Sequence, residues 1–154
     1  MLIKSIYTLF LALLIALFVG FGIDSFYPAP KYPEYPSKPM MIENVENQKE
    51  QMILDQKYNE EHEKYQSEIK TYNKNVSIII LSLSIVILVI SLTFLSKIKM
   101  ISDGILMGGI FTTIYSLIRG TMSDSSIFRF LIITIGLIIA LVLGYIKFIR
   151  GQKN

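Results

Sequence analysis

Between Lys74 and Lys97 the chain runs twenty-two residues, Asn75 to Ser96, without a charged side chain, and Ile, Leu, Val and Ser dominate the run. As a helix rising about 1.5 Å per residue it would be about 33 Å long, close to the thickness of a bilayer's hydrocarbon core. Three more uncharged blocks accompany it: nineteen residues from Ser5 to Ile23, fifteen from Gly104 to Ile118 and seventeen from Phe130 to Ile146. Four spans of about 20 residues would take up about 80 positions, leaving no room in 154 residues for a separate globular domain of ordinary size. Hydrophobic residues at 52% and charged residues at 18% agree, since a soluble domain needs more charge to keep its surface wet. The expected fold class is an all-α membrane protein with four transmembrane helices and a long extramembrane helix between spans one and two.

The blocks divide the chain into a first span (residues 1–24), a Pro/Tyr-rich spacer (25–40), an extramembrane amphipathic helix or stalk (41–75), a second span (76–98) and a third (100–119). A short loop (120–126), a fourth span (127–148) and a basic tail (149–154) complete it. Gly20-Phe21-Gly22 after a basic start also fits a cleavable signal peptide, which would leave three spans. The third block is short and must draw on Met100 and Ile101 to cross, with Ser102 and Asp103 near its first turn, where oxygens favour exposed N–H groups. Ser123-Asp124-Ser125-Ser126 supplies cap chemistry for the fourth.

In the spacer, Pro30, Pro33, Pro36 and Pro39 recur every third residue, the period of polyproline II. Proline at that frequency removes donors and disfavours helix, which predicts a semi-rigid spacer with Phe26 and Tyr27 anchored at the interface, or a docking ligand for an aromatic groove. Residues 41–75 then lack proline and glycine and are rich in Glu, Gln and Lys, all good helix formers. Leu54, Tyr58, His62, Tyr65, Ile69, Tyr72 and Val76 step by three or four and form one helical stripe. Within it Tyr58, Tyr65 and Tyr72 stand seven apart, as in a coiled-coil seam. Leu54, Tyr58, Tyr65, Ile69 and Tyr72 are therefore the candidate interaction stripe. The alternative is a weakly apolar side resting on the chain's own helices. Stalk and second span are free of breakers and can be continuous, with Asn73-Lys74-Asn75 the expected break.

Small residues recur along the apolar blocks: Ala12, Ala16 and Gly20 in the first, Ser77, Ser84 and Ser91 in the second, Gly104, Gly108, Thr112, Ser116 and Gly120 in the third, Gly136, Ala140 and Gly144 in the fourth. In lipid, helices associate largely through close approach over such residues, so these rows are the candidate helix-packing positions.

No ionisable residue lies at mid-depth in any block and none of the blocks contains proline, which argues against a proton relay or the broken helices of transporters. There is no cysteine and one histidine, and the chain lacks G-x-S-x-G, P-loop and H-E-x-x-H patterns. No catalytic residue, metal site or cofactor is expected, and the scattered basic residues do not point to nucleic acid. Lys4, Lys97, Lys99, Lys147, Arg150 and Lys153 crowd one set of block ends, which by the positive-inside rule puts both termini in the cytoplasm of a plasma or inner membrane. The segment Gly22-Ile23-Asp24-Ser25-Phe26-Tyr27-Pro28-Ala29-Pro30, followed by a polar helix, resembles small uncharacterised prokaryotic multi-pass membrane proteins. That resemblance covers about ten residues and implies membrane residence without an activity. The expected function is a non-enzymatic interaction, scaffold or accessory protein. Its expected partners are the lipid bilayer and a second copy or another membrane or extracytoplasmic protein. The alternative is a small channel or transporter subunit whose pore forms only in an oligomer.

Overall fold

The computed structural model describes residues 2–35, 45–93 and 98–149. The last five residues of the spacer with Pro36 and Pro39, the first residues of the expected stalk, Lys97, and the tail with Arg150 and Lys153 lie outside them. The described chain is all-helical: α1 (Leu2–Phe26), α2 (Val45–Thr93), α3 (Lys99–Thr121) and α4 (Ser126–Gly144), followed by a π-helical turn at Tyr145–Ile149. All four helices are long and apolar enough to cross a membrane.

Helix α1 runs through Gly20 and Gly22 and stops where Pro28 forbids another turn, its end closed by Tyr27 N–H donating to Ile23 O at 2.7 Å. Helix α2 is a single element of 49 residues, on the order of 74 Å long, in which stalk and second apolar block are one rod. The break expected at Asn73-Lys74-Asn75 does not occur. Both asparagine side chains have tertiary partners instead: Asn73 accepts from Arg119 at 2.9 Å and Asn75 donates to Tyr27 at 3.1 Å.

Helix α3, whose apolar stretch is the least hydrophobic of the four, touches each of the others. Leu11 and Ile15 of α1 sit over Gly104 and Gly108, so α1 and α3 run parallel. Ser77 and Ser91 of α2 meet Ser116 and Ser102, so α2 and α3 run antiparallel. Ile132 and Gly136 of α4 meet Gly120 and Leu117, again antiparallel. The arrangement is up-down-up-down around α3. Its eight buried residues are all glycine, serine or threonine. That explains the short apolar run: a central helix needs small residues for its neighbours more than large ones for its surroundings.

The first turn of α3 has no side-chain cap, contrary to the role expected of Ser102 and Asp103. Ser102 bonds to α2, and Asp103 pairs with Lys147 at the end of α4. Ser125 does cap α4, accepting from Phe128 N–H at 3.2 Å.

Candidate functional site

Two sets of side chains organise the molecule, one along the α2–α3 seam and one along the stalk. In the seam, Ser77 Oγ donates to Ser116 O at 2.9 Å and Ser116 Oγ returns the bond to Ser77 O at 2.7 Å. Fourteen residues along α2 the pattern repeats, with Ser91 Oγ donating to Ser102 O at 2.7 Å and Ser102 Oγ to Ser91 O at 2.9 Å. Between them Thr113 Oγ1 lies 3.1 Å from Ser84 Oγ, and Gly109 is opposed by Leu88 and Ile87. Ser77, Ser84 and Ser91 are all wholly buried. A hydroxyl that bonds a facing main-chain carbonyl needs the two backbones close together, which serine and glycine allow and larger residues do not. At Gly109 an added Cβ would lie 2.6 Å from Leu88 Cδ2.

The other predicted packing positions differ in use. Ala12 is wholly buried, Ala16 is half-buried, and Gly20 lies 3.9 Å from the Tyr115 ring, measured to an added Cβ. Gly104 and Gly108 receive Leu11 and Ile15, Thr112 is buried with its hydroxyl on Gly108 O, and Gly136 receives Leu117. Ala140 is exposed and Gly144 has nothing within 4 Å of an added Cβ, so neither is buried under a neighbouring helix. They border a groove of about 550 Å³ between α3 and α4 instead.

At the junction of stalk and bundle, Arg119 of α3 reaches across to α2. Its guanidinium donates to Asn73 Oδ1 and, at 3.2 and 3.0 Å, to the Tyr115 hydroxyl, and it lies over the rings of Tyr72 and Tyr115. Burial pushes the Tyr72 phenol up from its ordinary value, against the opposing pull of Arg119. Beside it, Val19, Val76 and Ile80 form the apolar centre.

Above the junction the tyrosine stripe is covered by the chain's own spacer. Tyr27 stacks on Tyr72 with ring centres 5.3 Å apart and planes 7° apart. Tyr32 meets Tyr65 and His62 edge-on at 5.1 and 5.7 Å, and Tyr35 meets Tyr58 edge-on at 5.0 Å. The Tyr35 hydroxyl donates to Asp55 Oδ1, and this bond is the main reason its pKa lies above the usual phenol value. A 3.4 Å contact with the Tyr32 hydroxyl raises Tyr58 in the same way. Leu54, Tyr58, His62, Tyr65 and Ile69 are half-buried and Tyr72 is buried, so the stripe is a covered face. Tyr27, expected to anchor at an interface, is part of this strap; Phe26 remains 91% exposed.

Sequence reasoning missed Gly109 and the interhelical role of Ser102 in the seam, the Arg119 junction and the pairing of strap with stripe. One signal was present. Ser102, Gly109 and Ser116 are seven apart, the antiparallel counterpart of Ser91, Ser84 and Ser77. Among the described residues no group of three or more His, Cys, Asp or Glu could hold a metal ion. Comparison with family models, with curated proteins and with solved structures finds no match to this chain.

Proposed function

We propose that the chain is an integral membrane scaffold whose four apolar helices cross the bilayer and whose stalk, residues 45–75, stands about 46 Å out from it. The outer faces of α1 and α4 support the membrane reading. Phe18, Phe21, Phe130 and Leu141 are all at least 65% exposed, far more apolar surface than a soluble monomer carries. Lys4, Lys99 and Lys147 gather at one end of the bundle and the stalk leaves from the other, which under the positive-inside rule puts the termini in the cytoplasm and the stalk outside.

The observation that carries the scaffold reading is the continuity of α2. A single rod, gripped by Arg119 at its foot and strapped by three tyrosines above, fixes the height and direction of a surface relative to the membrane. The tyrosine rings are engaged within the chain, so a partner docks beyond them. At the distal end Met52 and Ile53 are 63% and 66% exposed beside Leu54. The partner is a second copy or another membrane or extracytoplasmic protein.

Two measurements test this. A cysteine at Asn59 should react with a membrane-impermeant thiol reagent in intact cells and one at Ile98 should not; the reverse pattern overturns the orientation. A photo-crosslinker at Ile53 should give one discrete adduct in native membranes while the same group at Lys64 gives none. A monodisperse monomer without adducts would remove the scaffold reading.

A further inference from the structure

Where the foot of the stalk passes the loop between α3 and α4 there is a polar cleft of about 480 Å³, with Glu63, Lys70 and Lys74 on the α2 side and Ser123, Asp124 and Ser125 on the other. Helix α4 begins here. Ser125 Oγ satisfies the Phe128 N–H, and the N–H groups of Ser126 and Ile127, with no acceptor inside the helix, stand at the positive end of a 19-residue dipole. The second feature is Ser123. It is 1% exposed, yet its hydroxyl has no hydrogen-bond partner among the described residues, and it forms part of the cleft wall. A buried hydroxyl without a partner costs free energy that a ligand can recover. The loop that carries it is held firmly: the Arg129 guanidinium donates twice to Ser123 O, at 2.8 and 2.5 Å.

The charges around the cleft are mixed and movable. Lys70 pairs with Asp124 at 3.0 Å, but their side chains are 42% and 75% exposed, so the pair is worth little and either partner can be recruited elsewhere. The Lys74 ammonium hangs over the Phe128 ring, 5.5 Å from its centre, at the first turn of α4. Two cations beside a helix N-terminus suit a phosphate. Asp124 and Glu63 at the same opening suit a positive group attached to it.

We propose that this cleft binds a phosphoethanolamine group. The phosphate oxygens accept from Ser123 Oγ and the first-turn N–H groups of α4 and are neutralised by Lys70 and Lys74. Asp124, released from Lys70, takes the ammonium. The group can be free or the head of a lipid. The site stands apart from the scaffold reading; only the lipid source rests on the membrane placement of the four helices.

The test uses the full chain in mild detergent, titrated calorimetrically with O-phosphoethanolamine and with inorganic phosphate. O-phosphoethanolamine should bind more tightly. Ser123→Ala should weaken it about tenfold, as losing one hydrogen bond to a charged group does. The exposed pair Lys70→Gln/Lys74→Gln should abolish binding with an unchanged circular-dichroism melt. Asp124→Lys, on a surface position that does not disturb the fold, should reverse the preference in favour of inorganic phosphate. The source follows from native mass spectrometry of chain reconstituted with equal phosphatidylethanolamine and phosphatidylglycerol. Preferential retention of the ethanolamine lipid, lost in Ser123→Ala, assigns the lipid head; binding of the soluble compound alone assigns a free ligand. No binding of either form, affinity unmoved by all the substitutions, or equal binding of inorganic phosphate would overturn the assignment.

Discussion

Helix α2 uses a seven-residue repeat twice, for opposite purposes. In its apolar half, Ser77 and Ser91 bring α3 so near that hydroxyls bond main-chain carbonyls across the gap, and Ser84 between them receives the Thr113 hydroxyl. In its polar half, Tyr58, Tyr65 and Tyr72 reach out to Tyr35, Tyr32 and Tyr27 on a segment with no regular secondary structure. The difference follows from what each partner offers. Another helix has its main chain already satisfied, so association depends on contact and on a few extra hydroxyl bonds. A proline-rich strap offers few donors and no ridge to interlock, so large rings and phenolic hydroxyls must hold it. The same spacing therefore reads as a helix–helix seam only where the repeated residue is small.

The seam should respond most strongly to a change of size. Gly109→Leu should destabilise the bundle by about 3 kcal/mol, since Leu88 and Ile87 leave no space even for a methyl group. Gly144→Leu should cost almost nothing, because no atom lies within 4 Å of its added Cβ. Thermal unfolding in detergent compares the two, and equal losses would break the distinction between the seam and the open end of α4. Next in size come the hydroxyls. Ser91→Ala and Ser102→Ala should each cost about 1 kcal/mol, the scale of interhelical hydrogen bonds in membranes. Because the pair is reciprocal, the double variant should cost less than the sum, and a double-mutant cycle showing strict additivity would mean the two bonds act independently.

The helical class, the four apolar blocks and the small-residue rows were legible because each depends on composition along one helix. Continuity through Asn73-Lys74-Asn75 was not, because asparagine is a poor helix former and its tertiary partners Arg119 and Tyr27 lie 46 and 48 residues away. Ser102 was read for its local cap chemistry, and a partner on another helix prevailed. The tyrosine stripe was visible as a face, but periodicity says only that a face is covered and not what covers it. The spacer tyrosines that match it follow no helical period, so nothing on either segment alone revealed the pairing. Ala140 and Gly144 show the converse: a spacing suited to packing at positions that border an open groove.

The strap should respond to loss of its rings and leave the seam untouched. Replacing Tyr27, Tyr32 and Tyr35 together by alanine removes contacts of about 0.5–1.5 kcal/mol each at most, reduced here by exposure. Hydrogen exchange should quicken through the stalk, residues 50–70, while residues 76–93 and 102–118 keep their protection. Slower melting of the stalk alone, with the bundle unchanged, would contradict the strap; loss of protection in both would show that the strap supports the bundle as well.

The smallest effect belongs to pH. The Tyr35 phenol is raised above its ordinary value mainly because it donates to Asp55, and Tyr58 is raised through Tyr32. A phenol whose folded pKa exceeds its unfolded value contributes stability that is complete below the unfolded pKa, about 10, and is lost as pH rises through the folded value. The strap should therefore hold through neutral pH and loosen only in strong alkali, when ionised Tyr35 can no longer donate and faces the Asp55 carboxylate. Both groups are exposed, so the change is modest and concerns the strap rather than the whole fold. Asp55→Asn keeps an acceptor but removes the negative charge, and it should bring the Tyr35 titration back toward the ordinary phenol range. Tyrosinate absorbance, compared between the natural chain, Asp55→Asn and Tyr35→Phe, isolates that one group. If the Tyr35 limb, taken as the difference between chains with and without that phenol, is unmoved by Asp55→Asn, Tyr35 and Asp55 do not meet, and the distal end of the strap is not fastened to the stalk.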